Sequence, residues 1–413
     1  MSRSRFILLA AVILAVAAAL WLLWKSGVIG VSTNPREDQT TIEDFEGLPY
    51  LSFVKDDPNP ERKGVTVYDP SLACPGLNLL TSRLIGGAHL LDMKGDILHS
   101  WTPNDVTGHG WVYSEMDGAG NLLVLTEDVG LVKLDWDSEV IWASRAAENP
   151  LLSHVGKVAY HHDFAVTETG DIYVLAVDTR HVDRQTGQKT IRDNSIVVLT
   201  HDGIPQRKIS LYDLLREMIP EEAFKEKKRR YPRLRKHFNR IEGFDVLHAN
   251  TLEELRGDIA GGKRGDLLFC VRNLNLIGIL DIEEECVIWT WGTGILDRPH
   301  HPTVLESGNI LVFDNGTRTR EYSRIIELNP ATKEIVWKYE GDPPETFFSK
   351  LRGSNQRLPN GNTLITESEK GHVFEVTADG EIVWDFWNFE TNDEGLRGII
   401  YRMTRYNPSY LRR

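Results

Sequence analysis

The chain has 413 residues, 41% of them apolar and 26% charged, and a net charge of −13. That balance fits a packed globular protein of one large all-β domain or two average ones, and it argues against a nucleic-acid partner, which needs local positive charge. Three cysteines are an odd number, so no disulfide framework is expected. Cys74, Cys270 and Cys286 are taken as free, buried thiols, with Cys270 and Cys286 on non-adjacent strands.

Arg3 and Arg5 precede an apolar run over residues 6–24. At a rise of about 1.5 Å per residue the run matches a bilayer core of about 30 Å. Ala17, Ala18 and Ala19 also fit a cleaved signal peptide. Cleavage there leaves an apolar Leu-Trp-rich terminus, so the preferred expectation is an uncleaved N-terminal transmembrane helix within residues 1–30. The arginines before the span, with only Lys25 just after it, place the body of the protein outside the cytoplasm. Residues 31–62 are polar and loop-rich and read as a linker.

From residue 63 to the C-terminus an internal repeat takes over. Its first tag is a Gly-Asn or Gly-Asp pair followed by apolar alternation, at Gly120, Gly170, Gly265, Gly308 and Gly361, with a degenerate copy at Gly76. Its second tag is an acidic or glycine turn, two apolar residues and often a tryptophan, ending at Trp101, Trp142, Trp289, Trp337 and Trp384. Short alternating runs between turns are strands. Units of roughly 45–50 residues with about four strands each are propeller blades. Six first tags predict an all-β, six-bladed β-propeller in which the tryptophans serve blade packing. The third blade lacks its tryptophan and is expected to end near Gly203. The distance from Gly170 to Gly265 is about double the others, which predicts a helical, basic insertion at about 205–243, between blades three and four. Its densely basic part, residues 225–240, is either a solvated face or a contact for anionic lipid or substrate. The aromatic and basic stretch 398–410 is expected to pack on the first blade and close the ring.

Three histidines recur in consecutive copies of this repeat. His162 and His300 each stand eight residues before a tag glycine, and His248 opens the corresponding segment before Gly265, separated from it by a loop. A repeat returning to one position points the same side chain at one axis, so all three are expected to face the central channel. Strand side chains alternate, so Asn250 shares the face of His248, and Arg272 ends an apolar strand as a cation that needs an anion. A neutral imidazole is a nucleophile near neutral pH. The arginine fork fits sulfate or phosphate oxygens, and fixed donors stabilise charge that grows during transfer. Together these suit group transfer through a covalent histidine intermediate. No phosphate-cradling glycine loop offers a seat to a nucleotide donor. Two other readings use the same residues: a histidine-ligated metal site, or a membrane-tethered propeller that binds without chemistry. His161 and His301 are expected to point away from the channel, His109, His237 and His372 to be surface or packing residues, and Asn315-Gly-Thr to be a tight turn rather than a glycosylation site.

The segments around His161-His-Asp-Phe164, Asp245-Val-Leu-His-Ala-Asn250, Val271-Arg-Asn-Leu-Asn275, His300 to Gly316 and Gln356 to Ile365, in that order, resemble the arylsulfotransferase (aryl-sulfate sulfotransferase) family. The resemblance runs from about Gly64 to the C-terminus. It implies a six-bladed propeller in the bacterial periplasm that moves a sulfuryl group from an aryl sulfate ester to a phenolic acceptor, without cofactor, metal or nucleotide sulfate donor. On the matching positions it implies His300 as the nucleophile that becomes sulfohistidine, with His162, His248, Asn250 and Arg272 as substrate-binding residues. The partners it implies, with the N-terminal run, are small sulfate esters, phenolic acceptors and the cell membrane through a single pass; a homodimer is allowed. The chain departs from the family in doubling the histidine at His300-His301, in lacking a β-sandwich before the propeller, and in its membrane span and basic insertion.

Overall fold

The computed structural model describes residues 52–410, apart from 55, 56, 58, 85, 109, 128, 153–155 and 226–240. The apolar run at 6–24 and most of the basic segment lie outside the described residues. Among the described residues no helix is long and apolar enough to cross a membrane.

The tags do their work through backbone handedness. The glycines of the first tag take left-handed conformations (Gly120 φ 85°, Gly170 92°, Gly265 94°, Gly308 80°, Gly361 90°), turning the chain from the innermost strand of a blade into the second. A side chain there would meet its own carbonyl. The turn before the outermost strand makes the same demand. Gly95, Gly203 and Gly380 meet it in three blades, while Ser138, Glu285 and Lys333 adopt positive φ in the others.

Six antiparallel sheets result. From the axis outward, blade two is Trp111–Met116, Leu122–Thr126, Gly130–Leu134 and Val140–Arg145, and blade three is Ala159–Val166, Ile172–Arg184, Gly187–Leu199 and Pro205–Ser210. Blade four is Ala249–Glu254, Leu267–Val271, Leu276–Asp281 and Cys286–Trp291; blade five is His300–Val304, Ile310–Asp314, Arg324–Asn329 and Glu334–Tyr339. Blade six is Ser354–Arg357, Thr363–Glu367, His372–Val376 and Ile382–Trp387, with Gly64–Tyr68 added as a fifth strand on its outer edge. Blade one combines Leu77–Ser82, Gly87–Leu91 and Ile97–Trp101 with the C-terminal strand Ile400–Tyr406, which is its innermost member. The six inner strands neighbour one another in a closed cycle. The C-terminal stretch therefore closes the ring as expected, and the N-terminal strand on blade six adds a clasp that the sequence did not announce.

The core lies between blades. Leu268 and Ile279 of blade four pack with Ile310, Val312 and Ile326 of blade five, all fully buried, and each such side chain contributes about 1.5–3 kcal/mol. The outer tryptophans pin neighbours together: Nε1 of Trp101 donates to the Asp135 carbonyl at 3.1 Å, Trp337 to Ala378 at 2.8 Å, and Trp384 to Met93 at 2.8 Å.

Three expectations need correcting. Blade three does not end near Gly203, because Pro205–Ser210 is its outer strand and only its tryptophan is missing. The insertion starts after Ser210, and its described part holds one five-residue helix, Leu211–Leu215, capped by Ser210, followed by two 3-10 turns, Arg216–Met218 and Glu221–Phe224. Leu211, Tyr212, Leu215 and Phe224 bury themselves with residues of blades three and four. Cys74 and Cys270 are buried free thiols, but Cys286 is exposed because it opens an outermost strand.

Candidate functional site

Irregularities in the inner strands build the site. In blade three Val174 pairs with Phe164 but Ala176 with Tyr160, so the chain bulges across residues 161–163. In blade five the bulge falls between His300 and Thr303. His162 (φ 61°), His248 (55°), Arg298 (60°) and His301 (44°) all adopt left-handed backbones. Such conformations cost about 1–3 kcal/mol each and persist where surrounding structure over-determines them. Here they turn imidazoles from blades three, four and five toward one end of the channel. The rings of His162 and His248 lie edge to face, 4.9 Å between centroids, and His300 acts electrostatically on His162 and is acted on by His248.

The three histidines are brought together, but they do not share one repeat position. His162 and His300 each stand four residues before the strand end that pairs with Ile172 or Ile310; in blade four that slot belongs to Asn250, before Glu254. His248 lies two residues earlier and reaches the same space from just outside the strand.

His300 is 5% exposed. Its Nδ1 lies 2.8 Å from Asn315 Oδ1 and 3.1 Å from the Arg298 carbonyl. The Asn315 amide donates its N–H groups to the carbonyls of Ser349 and Arg352, both at 2.7 Å, so Oδ1 is the atom facing the imidazole. Two acceptors fix the proton on Nδ1 and leave the Nε2 lone pair for chemistry. Burial first, then the nearby Arg272 charge, drives the imidazole well below its usual pKa; the Asn315 bond opposes them, and His248 and Arg352 add to the depression. His300 is therefore neutral near pH 7. Asn315 and Thr317 are fully buried, which accords with the tight-turn reading of that segment.

His301 makes a different set of contacts from its neighbour. Its Nδ1 accepts the Asn355 backbone N–H at 3.2 Å, which consumes its free lone pair and puts the ring proton on Nε2. It does not point away from the channel. The bulge suspends strand alternation, and His301 lines a small cavity with His300, Asn250, Arg352, Tyr401 and Arg402.

The remaining expected residues take distinct places. His248 Nδ1 lies 2.6 Å from Asp245 Oδ2. His162 Nδ1 meets His161 Nδ1 at 2.6 Å, and burial, with His161, His248 and His300, holds His162 well below its ordinary pKa. Asn250 is a strut as much as a donor: its Nδ2 donates to the Pro299 carbonyl at 2.9 Å and its Oδ1 accepts from Thr251 at 3.0 Å, tying blade four to the His300 strand. Arg272 is buried, and its guanidinium and that of Arg298 converge on Asn273 Oδ1.

Sequence reasoning missed Asp245, Asn315, Arg352 and Arg402. Arg352 donates to Glu369 at 3.2 Å. Arg402, from the C-terminal strand, forks onto Asp163 at 3.2 and 3.1 Å and lies over the Tyr113 ring at 4.0 Å. None carries a repeat tag; only Asn315 could have been found, from the Asp-Asn-Gly that ends the His300 segment. A larger cavity, about 550 Å³, opens beside the long hairpin of blade three, but no channel imidazole lines it, and its Lys208 and Arg180 are paired to Asp178, Asp193 and Asp213. Among the described residues no three His, Cys, Asp or Glu side chains converge as metal ligands.

Comparison with curated proteins gives no match. Among solved structures, a Bacteroides caccae protein of unknown function aligns at 13% identity and TM-score 0.50, over 80% of this chain and 99% of that one. A streptogramin B lyase aligns at 14% identity and TM-score 0.45, over 86% and 97%. The first likeness is one of fold alone. The model of the arylsulfotransferase (ASST) family matches residues 119–389, a span that holds His162, His248, Asn250, Arg272 and His300 together with most of the propeller around them; the chain belongs to the arylsulfotransferase family.

Proposed function

We propose that this propeller moves a sulfuryl group from an aryl sulfate ester to a phenolic acceptor through a sulfohistidine at His300. Nε2 of His300 attacks sulfur and the bond to the aryl oxygen breaks. The acceptor oxygen then attacks the same sulfur, the N–S bond breaks, and the imidazole is restored. The observation that carries the reading is the pair of oxygen acceptors at His300 Nδ1, Asn315 Oδ1 and the Arg298 carbonyl, which assign the ring proton to Nδ1, while Nε2 meets no hydrogen-bond partner among the described residues. Arg272 and Arg352, close enough to depress that imidazole, supply positive charge for the sulfuryl oxygens. His301, with its proton on Nε2, adds a neutral donor; His162 and His248 complete the pocket. Incubation with a chromogenic phenyl sulfate, followed by quench and peptide mass analysis, tests this. A sulfuryl mass on the His300 peptide, absent in His300→Ala, supports the reading; transfer that proceeds undiminished in His300→Ala refutes it.

We also propose that residues 6–24 anchor the propeller to the cell membrane with its body in the periplasm, supported by Arg3 and Arg5 on the near side of the apolar run. Protease accessibility of the propeller in spheroplasts, but not in intact cells, is the expected outcome. Protection in spheroplasts overturns it.

A further inference from the structure

We propose that Asp245 is a positioning residue that makes His248 the acid–base group of the transfer, an inference that rests on the sulfohistidine reading above. Sulfuryl transfer between two phenols moves a proton as well as a sulfur, and His300, whose Nδ1–H stays on Asn315, cannot carry it. A carboxylate only accepts, so at 2.6 Å from Asp245 Oδ2 the His248 Nδ1 is the donor and its Nε2 edge is free to exchange a proton. The position of Asp245 is secured from several sides. Its carbonyl accepts from Asn273 Nδ2 at 2.6 Å, and Arg192 Nη1 lies 3.9 Å from its carboxylate. On the strand that follows, the Ala249 N–H donates to Asn194 Oδ1 at 2.6 Å, which fixes the backbone beside His248.

The other channel imidazoles are unsuited to the task. His162 pairs with another imidazole, His301 spends its free lone pair on Asn355, and His300 is the nucleophile. His248 is the one with a carboxylate at its far nitrogen, the arrangement that orients an imidazole and stabilises its cation. Burial works to raise the Asp245 carboxyl, but His248, Arg192 and Arg272 outweigh it and hold it far below the usual carboxylate range, so the dyad keeps its negative partner.

The balance closes. The cycle uses His248 in its imidazolium form. As His300 Nε2 bonds to sulfur and the aryl oxygen departs, that oxygen takes the Nε2 proton of His248. In the second half the acceptor hydroxyl returns a proton to His248 Nε2 as its oxygen bonds to sulfur and the N–S bond breaks. One sulfate ester and one phenol have exchanged partners, and both histidines are back at their starting states.

The test compares first-turnover phenol release from aryl sulfates with leaving phenols of graded acidity, in wild type, Asp245→Asn and His248→Gln. A nitrophenolate leaves without help, so both variants should lose tenfold or less there, and about 10²–10⁴-fold with unactivated phenyl sulfate. Equal slowing across the donor series in both variants overturns the dyad while leaving the His300 label in place. Failure of wild type to label His300 overturns the transfer reading and the dyad with it. A melting transition matching wild type confirms that either variant is folded.

Discussion

Replacing Glu253 with glutamine should flatten the pH dependence of stability. Glu253 sits half-buried on the inner strand of blade four, and its Oε2 accepts the Val304 N–H at 2.9 Å. Burial pushes its carboxyl up, Asp163 adds repulsion, and the Val304 bond only partly opposes them, so the pKa rises from 4.5 to about 8. Between those values the folded state binds the proton and the unfolded state does not. Stability is therefore fully present below about pH 4.5 and falls as pH rises to about 8. That span corresponds to about 5 kcal/mol at about 1.4 kcal/mol per pH unit, and solvent screening of this half-buried side chain leaves about 2–3 kcal/mol. Glutamine keeps the acceptor for Val304 and cannot ionise. Urea midpoints of wild type and Glu253→Gln should agree within about 0.5 kcal/mol near pH 5, and the variant should be the more stable by about 2–3 kcal/mol near pH 9. A gap that stays constant between those pH values refutes the reasoning.

Other outcomes follow from the same geometry. His301→Gln should still accept the sulfuryl group at His300, with transfer slowed by about 10-fold to 10²-fold for one lost donor; loss of the label in this variant, read by peptide mass, moves the nucleophile to His301. His372 lies between Glu367 (3.0 Å) and Asp385 (2.5 Å) and stacks on Trp387. Burial alone would lower its pKa, but the bonds to Asp385 and Glu367 raise it above 6.5, so its stabilisation is full below about pH 6.5 and is lost as pH rises through the folded value. His372→Phe should therefore cost about 1–3 kcal/mol near pH 5.5 and less near pH 9, read from paired denaturant midpoints; a larger cost at the alkaline end contradicts the assignment. Gly353 has φ 141°, and a Cβ there would lie 2.5–2.6 Å from the Phe313 ring. Gly353→Ala should destabilise by about 2–4 kcal/mol and weaken transfer, because Arg352 must shift with it; an unchanged melting temperature refutes this.

Blade one apart, where Gly76 is not left-handed and the inner strand comes from the C-terminal end, the blades were legible because each depends on a local demand, a left-handed turn, that a tag glycine satisfies. The strand Gly64–Tyr68 was not, since it carries no tag and is mostly exposed on an outer edge. The site was legible in part, and its errors share a cause. Counting residues to a tag assumes an unbroken ladder, yet the extra loop after Glu254 and the bulges at 161–163 and after His300 break it, so Asn250 occupies the slot first given to His248. The same bulge brings His301 into the cavity that alternation would have denied it. Arg402 was out of reach for a different reason: it arrives from the far end of the chain, on the strand that closes the ring, and only closure sets it against Asp163 and beside His301. Repetition in the sequence thus reports where blades turn. The departures from repetition, four left-handed non-glycine residues among them, mark where the channel is shaped for chemistry, because strain of that kind survives only where other interactions hold it.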